Sequence, residues 1–384
     1  MKIVIFDPSY SDVGHHQRYN RMILTLLSDM VDVEKIIYVS NKEEGIDFER
    51  ISNKITNIEK FSEIKNKTKI DYEVIGLFHR WLHFLLMYFA KFKHYINVNR
   101  YINKLDCDFV FFTYNGHAPF WASSFILKKK FIISTISIKW IYDSKSYRFF
   151  LYLFYKWFIC KAKLIIVTEE IYKNTLLNNG IRNVNLLYDR YLVNNDTNRN
   201  TQTRKAMTIN LLTIGTMAYT KNPLNFVRLL QKCKNSKYKY EIYGKSFDGV
   251  AEDLYRQIEN DKCITYHSGY IEENIYHAAF EVSDFIVIPY ENSYTKHSTS
   301  GVMHDCFEKN KPILCPDIEP FRSYIKKYRI GLLYTNETLE EIMVCLTISG
   351  FEIAQYLVAN YVNLQKVHSY ENAKSSLNKI IKSI

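Results

Sequence analysis

The chain has 384 residues, 47% hydrophobic, 24% charged and 15% aromatic, with only 12 Gly and 7 Pro. Those values exclude collagen-like, low-complexity and disordered chains and leave room for two or three packed domains. Seven scattered cysteines, an odd total with no C-x-x-C, argue for a reducing compartment and against a disulfide framework or a structural zinc site.

In chain order, MKIVIFDPSY carries one Lys and four consecutive apolar residues before Asp7. It is too short for a signal peptide and reads as a first β-strand, Lys2–Phe6. A helix follows with Tyr19, Met22, Ile23, Leu26, Leu27 and Met30 on one face. Strand-like runs then recur at 35–40, 109–114, 131–136 and 164–169, with helical segments between them, which predicts a mostly parallel βα-repeating sheet. Residues 183–208 lose periodicity and fill with Asn, Thr and charges, the signature of a linker.

The pattern restarts with strands at 209–215, 239–244, 264–270, 284–290 and 312–317 and helices at about 223–232, 250–259, 273–282 and 300–309. From Leu339 on the tail is helical, with one apolar stripe of Ile353, Tyr356, Leu357, Tyr361 and Leu364 and another of Ala373, Leu377, Ile380, Ile381 and Ile384. We therefore expect an α/β protein of two Rossmann-like domains, 1–190 and 209–365, joined by a linker at 191–208. A terminal helix within 366–384 would return to the first domain, and ligands would bind in a cleft between the two sheets, beyond the carboxyl ends of the strands.

The net charge of +11 is uneven. Residues 51–168 hold 19 Lys and Arg against 7 Asp and Glu. They also contain the densest aromatic stretches, RWLHFLLMYFAKFKHYINVNRY (80–101) and YRFFLYLFYKWFICKAK (147–163). Basic residues interleaved with Trp, Phe and Tyr over 80–104 and 147–163 suit an anionic bilayer surface. They equally suit two core helices with solvated basic edges; a nucleic-acid partner is not expected, because no recognisable module accompanies the stretch. No uninterrupted apolar run reaches about 18 residues, so no membrane span is expected.

Four loops and the tail carry the candidate chemistry. In DFIVIPYENSYTKHSTSGVMHDCFEKNKPILCPD (284–317), His297, Ser298, Thr299, Ser300 and Gly301 open an amphipathic helix, and Lys311-Pro312 begins the next strand. Ser and Thr there cap orphan N–H groups, glycine permits close approach, and the helix dipole favours a phosphate. A Ser/Thr cap is most often only a cap; its place after the fourth strand of the second half raises its interest. Gly215, Thr216 and Lys221 sit in the loop after strand 209–214. Gly14, His15 and His16 follow the first strand, where a His pair is more often plain surface. TYNGHAPF (113–120) holds Tyr114 and His117, and HSYENAKSSLNKI (368–380) opens the last helix.

These stretches resemble the nucleotide-sugar glycosyltransferases of the GT-B fold, particularly the retaining family 4 group. That group carries E-x7-E before E-A-x-A-x-G-K-P; here His297 and Asp305 stand as H-x7-D, and the resemblance implies that Asp305 holds the ribose while His297 lies by the donor sugar. The family's G-R-L-x-x-E-K-G aligns with Gly215–Asn222, so Lys221 is implied to grip the donor diphosphate and Thr216 replaces an Arg, with Lys245 or Lys296 as substitute cations. Gly14, His15 and His16 match the first loop facing donor phosphates and acceptor. Tyr114 stands where relatives often keep a His on the donor sugar, with His117 nearby. The ending F-S-W-E-x-x-A is matched by Tyr370, Glu371 and Ala373.

The resemblance implies a hexosyltransferase-type enzyme that moves a sugar from a UDP- or GDP-linked donor to a glycan or lipid-linked acceptor in bacterial surface polysaccharide synthesis, with retention. We expect no cofactor beyond the donor and no required metal, since Lys221 and the N–H groups of Ser298–Gly301 can meet the charge that develops on the leaving diphosphate. The expected location is cytoplasmic, peripheral on the inner face of the cell membrane. Alternatives are an inactive GT-B scaffold that binds glycan or serves a complex, and a nucleotide-sugar epimerase. A Rossmann dehydrogenase is not expected, since no G-x-G-x-x-G follows a strand.

Overall fold

Apolar runs of four to six residues become the central strands of two parallel sheets. The structure is a computed structural model that describes residues 1–8, 16–40, 48–59, 77–114, 116, 118–135, 138, 149–188, 208–233, 237–246, 249–295 and 300–384. The chain divides into two compact units, one of Met1–Arg190 with Glu371–Ile384 and the other of Tyr191–Tyr370. Positions 191–207 of the expected linker lie outside the described residues.

Unit 1 is a seven-stranded sheet of β1 (Lys2–Phe6), β2 (Lys35–Ser40), β3 (Ile55–Glu59), β4 (Phe109–Phe112), β5 (Phe131–Thr135), β6 (Leu164–Val167) and β7 (Val184–Leu186). Their spatial order is β3-β2-β1-β4-β5-β6-β7, and every pairing is parallel. Strands covered on both faces read as continuous apolar runs, which is why β1, β4 and β6 were legible. The 183–208 stretch is not all linker, because Val184–Leu186 closes one edge of this sheet.

The helix His16–Ser28 buries Tyr19, Met22, Ile23, Leu26 and Leu27, as its spacing predicts, and Met30 just beyond it is buried too. Aromatic side chains fill much of the core. Phe112 and Phe120 meet edge to face at 5.0 Å, and Phe131 stacks on Phe158 at 5.3 Å. Each buried ring contributes about 1.5–3 kcal/mol by burial alone. Part of the aromatic excess is thus core: Tyr95 on Leu77–Lys104 and Tyr155 and Phe158 on Phe149–Lys161 are buried. The same two helices, which both pack on Ala118–Ser123, leave Leu86, Phe89, Leu153, Phe154 and Trp157 exposed. The terminal helix Tyr370–Lys382 belongs largely to this unit; it buries Leu377, Ile380 and Ile381, and Lys382 lies 3.5 Å from Asp32.

Unit 2 is a six-stranded parallel sheet of β8 (Ile209–Ile214), β9 (Tyr238–Gly244), β10 (Ile264–Ser268), β11 (Phe285–Val287), β12 (Ile313–Pro316) and β13 (Gly331–Tyr334), in the order β10-β9-β8-β11-β12-β13. The sequence pattern did not anticipate β13 or the helix Phe321–Tyr328 before it. The tail helix Leu339–Ala359 packs against this sheet so closely that a Cβ on Gly350 would sit 2.2 Å from Ile209 Cδ1. With Tyr361–Val367 it makes one helical stretch, Leu339–Val367, long and apolar enough by composition to cross a membrane. Of the stripe expected on it, Leu357, Tyr361 and Leu364 are buried, whereas Tyr356 points to solvent, because the helix turns its core face through Met343, Leu346 and Leu357 instead.

Candidate functional site

In unit 2 the chain order of strands reverses direction between β8 and β11, so the crevice beyond their carboxyl ends is the topological switch point. Three loops meet there. The loop after β8 leaves through Gly215 at φ +117, and the loop after β9 leaves through Gly244 at φ +154. A Cβ on Gly244 would lie 1.6 Å from the carbonyl oxygen of Gly215, so glycine is required for the two backbones to run together. They stay together past the strands: Gly215 N donates to Tyr243 O at 3.0 Å and Met217 N donates to Lys245 O at 2.9 Å. A Cβ on Gly215 would rest 3.5 Å from Val302 Cγ2, which puts the first turn of the helix Gly301–Lys309 against this loop.

Lys221 ends the short turn Tyr219–Lys221, which Asn222 stops in a left-handed conformation before Pro223 starts the next helix. Its ammonium donates to Thr216 Oγ1 at 2.5 Å and lies 5.3 Å from the ring centre of Tyr290 and 5.8 Å from that of Tyr294. Burial pushes its pKa down from 10.5 to about 8. A backbone bond from Glu291 N to Thr220 O, 3.0 Å, ties this turn to the loop after β11. Thr216, in the position where a second cation was expected, is therefore the acceptor that orients Lys221. Lys245 is exposed on the neighbouring loop.

Ser300 caps the helix Gly301–Lys309, its Oγ accepting from Met303 N at 3.2 Å. Asp305 lies one turn further on and accepts a 2.5 Å hydrogen bond from Tyr276 of the helix Glu273–Val282. Lys311 serves the fold: its ammonium is buried and donates to the Glu281 and Ser283 carbonyls at 3.0 and 2.8 Å, closing the end of that helix. The structure thus gathers Gly215, Thr216, Lys221, Ser300, Gly301 and Asp305 around one switch point. Sequence reasoning missed Tyr276, Tyr290 and Tyr294; the only signal was the i, i+4 spacing of the last two. Gly14, His15, His117, Lys296, His297, Ser298 and Thr299 lie outside the described residues, and His16 opens the helix His16–Ser28. Among the described residues no group of three or more His, Cys, Asp or Glu could hold a metal ion.

Two parallel-sheet α/β units of this kind are the GT-B fold. No family model matches the chain, and no curated protein matches it by sequence. Solved structures do match it over the full length. HepE of Anabaena, determined in complex with UDP, aligns at a TM-score of 0.66 and 11% identity over 100% of both chains. Sucrose-phosphate synthase of Thermosynechococcus elongatus aligns at 0.67 and 14% identity, covering 99% of this chain and 98% of that one. A glycosyltransferase of Rickettsia africae aligns at 0.65 and 15% identity, covering 100% of this chain and 98% of that one. At such identities the likeness is one of fold.

Proposed function

We propose that the protein is a glycosyltransferase that moves a sugar from a nucleoside diphosphate donor to a hydroxyl of a glycan or lipid-linked acceptor. One observation carries this reading: a lysine is held in an aromatic notch at the switch point of unit 2, beside two glycine-lined loops and a helix N-terminus. An ammonium with two rings beside it and, among the described residues, one hydroxyl partner is poised for an anion. Lys221 and the N–H groups at the start of Gly301–Lys309 would meet the negative charge that grows on the diphosphate as the sugar–oxygen bond breaks. Asp305, oriented by its hydrogen bond from Tyr276, would accept from ribose hydroxyls. The UDP in HepE supports a UDP-linked donor.

In this reading transfer proceeds with retention and without a required metal, the lysine and helix terminus doing the electrostatic work. The acceptor belongs to bacterial surface polysaccharide synthesis, and the enzyme works from the cytoplasmic face of the membrane. Leu86 and Phe89, 61% and 68% exposed, and Trp157, 42% exposed, support that location, since apolar side chains among lysines bind anionic lipid. Changing all three to Ser should abolish sedimentation with phosphatidylglycerol vesicles at physiological salt, and unchanged sedimentation would remove the membrane from the account.

A thermal-shift panel of UDP, GDP, CMP and their sugar conjugates, with and without EDTA, tests the donor reading. Binding at 100 times Kd adds about 2.7 kcal/mol of stability. A shift with one nucleotide, unaltered by EDTA, is the expected result. No shift with any nucleotide would favour a scaffold that no longer catalyses.

A further inference from the structure

Unit 2 carries a long helix whose solvent side lacks the charge that such sides ordinarily have. Between Ile342 and Gln365 the sequence holds one charged residue, Glu352. Eighteen consecutive residues within Leu339–Val367 are apolar enough to cross a membrane, yet only 22% of them are buried. Core packing accounts for one side of this stretch. Met343, Leu346, Gly350 and Leu357 are buried, with Gly350 pressed against Ile209 of β8. The other side exposes Cys345, Ile348, Tyr356 and Ala359 at helical spacing, and Val362 follows on Tyr361–Val367. Ile348 is 77% exposed, Tyr356 55% and Val362 50%. Surface helices normally turn charged residues outward, so an exposed apolar stripe of this kind marks a contact surface.

The charge beside the stripe says what kind of surface it meets. The helix Phe321–Tyr328 packs on Tyr361–Val367, and its last turn and the residue beyond it supply Lys326, Lys327 and Arg329, all exposed. Arg329 is joined to the stripe. Its carbonyl accepts from Asn360 Nδ2 at 3.0 Å, and its guanidinium hydrogen-bonds the Tyr356 hydroxyl and lowers that group's pKa. Among the described residues none of these three cations has an acidic partner. Glu352 is the one charge within the stripe, and Glu340 and Glu341 lie at its far end. A partner that is anionic over its surface and apolar beneath fits both features, and an anionic bilayer has that chemistry. Because the helix is fixed to the sheet through Met343, Gly350 and Leu357, it would lie along the bilayer surface and not across it.

We propose that the exposed side of Leu339–Val367, together with Lys326, Lys327 and Arg329, is a second membrane contact, carried by unit 2, that takes anionic phospholipid. The inference rests on the membrane location proposed above and adds a contact that the helices of unit 1 do not supply. Stable anchoring of this kind takes two weak signals, so the loss of either should release the protein.

The test uses the full chain with Cys160, Cys263 and Cys345 changed to Ser and the environment-sensitive fluorophore NBD attached through Ile348→Cys. Emission is read with phosphatidylglycerol vesicles, with phosphatidylcholine vesicles and without lipid, and sedimentation is measured on the same samples. A blue shift with phosphatidylglycerol alone is the expected result. The combined variant Lys326→Gln, Lys327→Gln and Arg329→Asn should weaken vesicle binding about tenfold or more. Asparagine accepts the left-handed backbone at position 329, φ +53, so that variant should melt as wild type does. Sedimentation without a blue shift, or binding undiminished in the charge variant, would overturn the unit 2 contact and leave the membrane location standing. No sedimentation at all would remove both. A blue shift that needs no lipid and grows with protein concentration would assign the stripe to a second copy of the chain and overturn the proposal.

Discussion

The two switch points do opposite things with the same parallel-sheet geometry. In unit 2 the ends of β8 and β9 are stripped to glycine, and Lys221 is brought in close as a cation whose burial favours pairing with an anion. In unit 1, where strand order reverses between β1 and β4, the strand ends carry a buried carboxylate and hydroxyls, with Asn20 bracing Asp7. Parallel topology creates a crevice wherever strand order reverses. Side chains at the first one or two positions beyond the strand then decide the charge and polarity that each crevice presents.

Experiments that break this contrast differ in size. The largest effect should come from Gly244→Ala. Its Cβ would fall 1.6 Å from Gly215 O, so the β8 and β9 loops must part. We expect a loss of about 3 kcal/mol or more by urea denaturation and disappearance of the nucleotide thermal shift; a stability loss under about 1 kcal/mol would show that the loops separate freely.

Next comes pH. With Lys221 at about 8 in the folded protein against 10.5 unfolded, the unfolded chain binds more protons across that window. The Lys221 contribution to stability therefore rises as pH climbs from 8 to 10.5. Nucleotide affinity should move the other way, weakening by up to about tenfold per pH unit above about 8 as the cation is lost. Lys221→Met should flatten both trends; parallel trends in wild type and variant would take Lys221 out of both.

A smaller effect is expected for Tyr276→Phe. It removes the hydroxyl that orients Asp305, a hydrogen bond to a carboxylate worth about 1.5–3 kcal/mol at most. The variant should bind a ribonucleotide several-fold more weakly while its affinity for the 2′,3′-dideoxynucleotide stays as in wild type. Equal losses for both ligands would mean that Tyr276 merely supports the helix Gly301–Lys309.

The strands that sequence reasoning found and those it missed divide along physical lines. The central strands β1, β4, β6 and β8 are buried on both faces and announce themselves as apolar runs. The missed strands, β3 (ITNIE), β7 (VNL) and β13 (GLLY), all lie at sheet edges. They are short and half-exposed, so Asn57, Asn185 and Gly331 blur their pattern. At the site, Lys221 and Asp305 were placed by the family resemblance, and Gly215 and Ser300 also by their positions in the loops. The rings of Tyr290 and Tyr294 could not be placed, because only the tie between the two loops at Thr220 and Glu291 brings them to the lysine.

The account turns on Lys221 as the anion-binding group of unit 2, and titration calorimetry of UDP against wild type and Lys221→Ala at pH 7 addresses it most directly. We predict a loss of affinity of about 10- to 100-fold, of the order expected for a charge-assisted contact with a phosphate, in a variant that melts no lower than wild type, since the substitution removes a partly buried charge. Equal affinity for UDP in the two proteins would contradict the account.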